Sequence, residues 1–172
     1  ITNLGIENTY QNIVYDVLKN SYVANMLECL NYGIDSSFNL YKLLKLSLTS
    51  INNDVSEKIV CCYFFMQILK DHGFIFKYQK TDYEYVGYSF LKNSFVDKFN
   101  IDYSVFGIND NLVKLTYYIS TKNIDFLECL ELSNKDLIKL FSFFNLLFKE
   151  YIGIKTKSYK KIMDLEEMLS SK

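Results

Sequence analysis

The chain has 172 residues and a formal net charge of −1; 49% of its residues are hydrophobic and 17% aromatic, which excludes a disordered chain and fits one domain with a sizeable core. Every positive charge is a lysine, so no guanidinium fork is available to grip phosphate or carboxylate with two parallel bonds. A charge this close to zero also excludes a global field that draws the chain to nucleic acid, and any such contact falls to a local patch.

The first predicted element is a long helix over residues 5–31. Ile6, Tyr10, Ile13, Val14, Val17 and Leu18 form a stripe of period 3.6, continued by Tyr22, Met26 and Leu30 and stopped near Gly33. Ser36 or Ser37 caps a second helix over 37–51, with Leu40, Leu43, Leu44 and Leu48 on one face. Asp54 and Glu57 have the spacing of a capping box and open a third helix over 55–72. Ile59, Cys62, Tyr63, Met66 and Leu69 point inward there, while Phe64, Phe65 and Ile68 make the other side apolar too. A helix apolar on most faces belongs at the centre of a bundle. Gly73 supplies the left-handed residue that ends it.

From 74 to 106 the helical period is lost. Phe74, Phe76 and Tyr78 alternate with Ile75, Lys77 and Gln79, and Tyr83, Tyr85, Val86, Tyr88 and Phe90 follow, which reads as short strands or an irregular ribbon. Helical period returns over 109–120 through Leu112, Leu115, Tyr118 and Ile119, with a short helix near 123–130. Ser133 and Asp136 cap a helix over 134–152, whose stripe runs Leu137, Leu140, Phe141, Phe144, Leu147, Phe148 and Tyr151. A closing helix covers about 158–169. The fold class is mainly α: a bundle of about six helices with a ribbon inserted at 74–106, residues 1–172 forming one domain. No run approaches eighteen apolar residues without a charge and the start has no signal-peptide pattern, which reads as a soluble cytoplasmic protein without a membrane segment. Ile1 in place of an initiating methionine reads as a processed chain or an excised fragment.

Few residues suggest chemistry. The only histidine, His72, sits at a helix C-terminus, where the dipole favours it, and no nucleophile–base pair or paired carboxylates accompany it. Cys29, Cys61, Cys62 and Cys129 contain no C-x-x-C, and the adjacent Cys61 and Cys62 project about 100° apart on a helix, which reads as buried free thiols in a reducing compartment. No phosphate-cradling glycine motif is present. The expectation is therefore a protein with no catalytic residues, no cofactor and no zinc. The best functional candidate is a lysine cluster, Lys149, Lys155, Lys157, Lys160 and Lys161, which fits successive phosphates of DNA or an acidic protein tail. Tyr151 and Tyr159 beside it offer stacking faces to unpaired bases.

Two segments resemble the RecO family of bacterial DNA-repair proteins. One is Phe148-Lys149-Glu150-Tyr151-Ile152-Gly153-Ile154-Lys155-Thr156-Lys157-Ser158, a helix ending at an Ile-Gly pair with a Lys-Ser dipeptide beyond it. The other is Tyr63-Phe64-Phe65-Met66-Gln67-Ile68-Leu69-Lys70-Asp71-His72-Gly73-Phe74, similar to the family's hydrophobic helix that ends at Gly-Tyr or Gly-Phe. The resemblance implies the C-terminal helical part of such a protein, without the N-terminal OB domain. Many members carry a four-cysteine zinc knuckle after the second segment. The corresponding positions here, Thr81, Glu84, Asp97 and Asn100, hold no cysteine, so the resemblance carries no zinc site and leaves a degenerate finger.

The implied function is non-enzymatic recombination mediation in the RecF pathway: annealing strands and helping to load RecA on gapped DNA. The implied partners are RecR, the acidic tail of single-stranded-DNA-binding protein, and single- and double-stranded DNA, held weakly without the OB domain. Tail docking in some relatives uses an arginine where this chain has Cys61-Cys62-Tyr63; Lys58 offers a point charge nearby, with Tyr63 beside it, but not a fork. The alternative is an unrelated all-α module that docks partner helices.

Overall fold

Apolar side chains crowd every side of the segment from Ile59 to Leu69, and that segment forms the helix at the centre of the fold. The protein is described by a computed structural model covering residues 8–31, 38–78, 81–127 and 132–170. Its elements in chain order are α1 (Gln11–Val14), α2 (Val17–Asn31), α3 (Phe38–Asn52), α4 (Glu57–Asp71), β1 (Tyr85–Ser89), β2 (Ser94–Asp97), β3 (Val105–Gly107), α5 (Asp110–Thr121), α6 (Ile124–Leu127), α7 (Asn134–Ile152) and α8 (Ser158–Ser170). The architecture is mainly helical with a small antiparallel sheet, in agreement with the expected class. Among the described residues no helix is long and apolar enough to cross a membrane.

The central helix α4 packs against α7, α2, α3 and α5, and α8 lies on α2. Residues 5–7 of the predicted helix over 5–31, Ile6 among them, lie outside the described residues, and the rest of it holds two helices, α1 and α2. Asp16 interrupts it: its Oδ1 accepts from the amides of Leu18 at 2.8 Å and Lys19 at 3.0 Å, making a new start for α2. The predicted caps Ser36 and Ser37, the stop at Gly33, and Cys129 lie outside the described residues. The capping box expected at Asp54 and Glu57 does not form. Asp54 takes a left-handed backbone (φ 67°) and pairs with Lys19, while Ser56 precedes α4 and makes no side-chain cap. The glycine stop is as expected: Gly73 has φ 82°, and the amides of Gly73 and Phe74 reach the carbonyls of Lys70 and Leu69, both at 2.9 Å.

The ribbon is a three-stranded sheet of order β2-β1-β3. Tyr88 pairs with Phe95 on one side and Phe106 on the other. The alternating segment Phe74–Tyr78, read as strand-like, stays outside the sheet; the Phe95 amide touches the Lys77 carbonyl at a long 3.4 Å. Its inward rings, Phe76 and Tyr78, join Tyr88 and Phe95 in an aromatic cluster with centroids 4.9–5.9 Å apart. Phe143 of α7 closes that cluster, 5.4 Å from Tyr88 and 5.5 Å from Phe106. The helix α7 therefore buries two faces: one carries Leu140, Phe141, Phe144, Leu147 and Phe148 towards α4, the other Phe143 towards the sheet. Ser133 caps its start, accepting from the Asp136 amide at 3.1 Å.

Candidate functional site

The lysine cluster flanks the turn that joins α7 to α8, with Lys149 in α7, Lys155 and Lys157 on the turn, and Lys160 and Lys161 in α8. Gly153, at φ 81°, ends α7 in the left-handed conformation, and its amide reaches the Lys149 carbonyl at 3.0 Å. The connector is then tied down from outside. Asn25 of α2 donates from Nδ2 to Thr156 Oγ1 at 2.8 Å and to Ser158 Oγ at 2.9 Å. The Glu28 carboxylate accepts from the amides of Lys157 at 2.7 Å and Ser158 at 2.9 Å, and from Ser158 Oγ at 2.6 Å. An anion thus sits on the amides that open α8, where the helix dipole favours it. The Thr156 and Ser158 side chains are spent on this anchor, and the lysines between and beyond them face water.

All five predicted lysines, Lys149, Lys155, Lys157, Lys160 and Lys161, are exposed. Lys149 pairs with Glu150 at 3.2 Å. The other four make no ion pair with any described residue, in contrast to Lys19, Lys58 and Lys114. Beside them lies an apolar groove of about 210 Å³, floored by Phe106, Leu146, Ile154 and Tyr159, with Lys149 and Lys155 among its lining. Tyr159 is fixed there by its hydroxyl on Ser142 Oγ at 3.1 Å and its ring on Phe141. Tyr151, 40% exposed, bonds Asn93 and packs its ring edgewise on Phe74 at 4.5 Å.

The other predicted contact residues are buried. Lys58, expected to meet an acidic tail as a point charge, is 5% exposed and salt-bridged to Glu166 and Glu57, each at 2.7 Å. Burial opposes its charge, yet the hydrogen bonds that its ammonium donates to Glu166 and Glu57 outweigh that and raise its pKa above the ordinary lysine value. Tyr22 donates its hydroxyl to Glu166 at 2.9 Å, and its ring lies 5.3 Å from the Lys58 ammonium. Tyr63 is buried as well, 8% exposed. A site on Lys58 and Tyr63 is therefore closed to a docking tail, because both groups serve the packing of α8 and α4.

Three of the four residues that the resemblance placed at knuckle positions, Thr81, Asp97 and Asn100, do meet. Asp97 accepts from Thr81 Oγ1 at 2.9 Å, Asn100 Nδ2 at 3.0 Å and the Phe99 amide at 2.9 Å. The Asn100 and Thr81 bonds hold its pKa below the usual aspartate value. Glu84 is exposed, apart from this cluster. Among the described residues no group of three or more His, Cys, Asp or Glu side chains gathers as metal ligands. His72 caps the end of α4, its Nδ1 2.9 Å from the Ile68 carbonyl. Cys29, Cys61 and Cys62 are buried, unpaired thiols, as expected.

Sequence reasoning missed the residues that hold the site: Tyr22, Asn25, Glu28 and Glu166. A signal was present, since Asn25 and Glu166 interrupt otherwise apolar inward positions of their helices; their partners, 131 and 144 residues away, were not legible. Comparison with family models, with curated proteins and with solved structures finds no match for this chain.

Proposed function

We propose that this chain is a non-enzymatic, DNA-contacting helical domain of a recombination mediator similar to RecO. The carrying observation is the set Lys155, Lys157, Lys160 and Lys161: exposed, in no ion pair with a described residue, and placed on the turn and first helical turns that Asn25 and Glu28 hold in place. Ammonium groups so placed attract phosphates without reading bases. The left-handed glycine ends at Gly73 and Gly153 are in keeping with the two segments that carry the resemblance. Its partners on this reading are RecR, gapped DNA and the acidic tail of single-stranded-DNA-binding protein. With Lys58 buried, the exposed lysines are the tail's point of contact.

The test is fluorescence anisotropy with labelled single-stranded DNA across a salt series. Changing Lys155, Lys157, Lys160 and Lys161 to alanine removes up to four phosphate contacts, each worth about 0.7 in the slope of log affinity against log salt, so the slope flattens by about 3. An unchanged slope sinks the proposal. The apolar groove favours a second reading, a module that docks a partner helix. Salt-insensitive binding of a helical peptide, lost in Leu146→Lys, is its signature.

A further inference from the structure

The helix α8 carries its charges against its own dipole. Lys157, Lys160 and Lys161 stand at its start and Asp164 and Glu167 towards its end, whereas the aligned peptide dipoles favour the reverse. The stability of α8 does not explain this order, since its first amides are already served by Glu28. All five side chains are exposed, and within the helix the spacing of Lys160, Lys161, Asp164 and Glu167 puts them on one face, with Lys157 just before its first turn. That face lies opposite the one burying Ile162 and Glu166. Met168, 66% exposed, extends the charged stripe, and Leu169, 54% exposed, extends the line of Ile162 and Glu166 beyond the body of the fold.

We infer that this face pairs with the same face of a second copy, the two α8 helices running antiparallel about a two-fold axis. A two-fold contact must be self-complementary. A stripe that is basic at one end and acidic at the other meets that condition in the antiparallel arrangement and repels itself in the parallel one. Lys161 then lies opposite the partner's Asp164, and Lys157 and Lys160 surround the partner's Glu167 and Met168. The lysine stems cover Met168 while their ammonium groups stay in water. The opposed helix dipoles add to the attraction. One helix of thirteen residues buries well under the roughly 1,200–2,000 Å² of a stable interface, so the association is weak, micromolar to millimolar and salt-sensitive. It shares Lys157, Lys160 and Lys161 with the DNA reading but rests equally on Asp164, Glu167 and Met168, and so stands apart from it.

Sedimentation equilibrium over roughly 10 µM to 1 mM protein tests the pairing, with charge-reversed variants as partners for one another. In low salt the average mass of the unaltered chain rises with concentration, and the rise disappears at about 0.5 M salt. Lys157→Glu/Lys160→Glu/Lys161→Glu has an all-acidic stripe, and Asp164→Lys/Glu167→Lys an all-basic one. Each alone stays monomeric at concentrations at least tenfold above those at which the unaltered chain associates. Mixed in equal amounts, the two variants associate. A chain that stays monomeric to 1 mM in low salt overturns the inference. So does association indifferent to salt, or a mixture of correctly folded variants, by circular dichroism, that remains monomeric.

Discussion

Replacing Lys58 with methionine tests whether the buried charge cluster holds α8 to the bundle. The substitution keeps the aliphatic stem and removes the ammonium that Glu57 and Glu166 share, each at 2.7 Å. Glu166 is 3% exposed, so its carboxylate is left with the Tyr22 hydroxyl at 2.9 Å and a long contact from Asn134 at 3.4 Å. Breaking a buried pair in this way costs about 3–5 kcal/mol, because the remaining charge has lost its compensation. For a chain of this length each kcal/mol lowers Tm by about 2–4 °C, so a fall of about 6–20 °C is expected. The double variant Lys58→Met/Glu166→Met removes both charges and recovers most of that loss, since apolar groups of similar volume replace a buried pair at little cost. Urea titrations of the two single variants and the double variant form the cycle. A loss below about 1 kcal/mol for Lys58→Met, the size typical of an exposed pair, refutes the reasoning.

Alkaline pH should destabilise the fold through its thiols. Burial pushes Cys29 up to about 12, with the Glu28 charge adding to the effect, and holds Cys61 and Cys62 well above the ordinary thiol value. Their folded pKa values exceed the unfolded ones, so the contribution is complete below the unfolded pKa of about 8.5 and is lost as pH rises above it, by about 1.4 kcal/mol per thiol per pH unit. Stability measured from pH 8 to 10.5 in reducing buffer should fall with that slope, and Cys29→Ala should remove one thiol's share of it. The glycines separate two mechanisms. Gly153→Ala meets no atom within 4 Å and costs only its left-handed backbone, about 1–2 kcal/mol. Gly87→Ala places a Cβ 2.5 Å from Val105 Cγ1 and 2.7 Å from the Phe106 carbonyl oxygen, so its loss in thermal unfolding should be the larger of the two.

The central place of α4 was legible because apolar residues occupy most of its faces, and such a helix must be largely surrounded. The ends at Gly73 and Gly153 were legible for a local reason, since few other residues adopt a left-handed backbone cheaply. The interruption at Asp16 was hidden, because the stripe of Ile13, Val14, Val17 and Leu18 continues through it. The failed cap at Asp54 shows the same limit from the other side: the right residue at the right spacing was claimed by Lys19, a distant partner. Exposure of Lys155, Lys157, Lys160 and Lys161 followed from charge and position alone.

By itself, then, the sequence determined the mainly helical class, the glycine stops, the buried thiols and the exposed lysine stretch. Each of these depends on periodicity, backbone freedom or solvation within a few residues. The tertiary structure decided that Phe143 opens a second buried face on α7, that Lys58 is sealed against Glu57 and Glu166, and that Asn25 and Glu28 hold the turn carrying the lysines. Those contacts join residues far apart in the chain. A charged side chain reads alike in the sequence whether it meets water or a buried counter-charge, and only the fold brings the counter-charge to it.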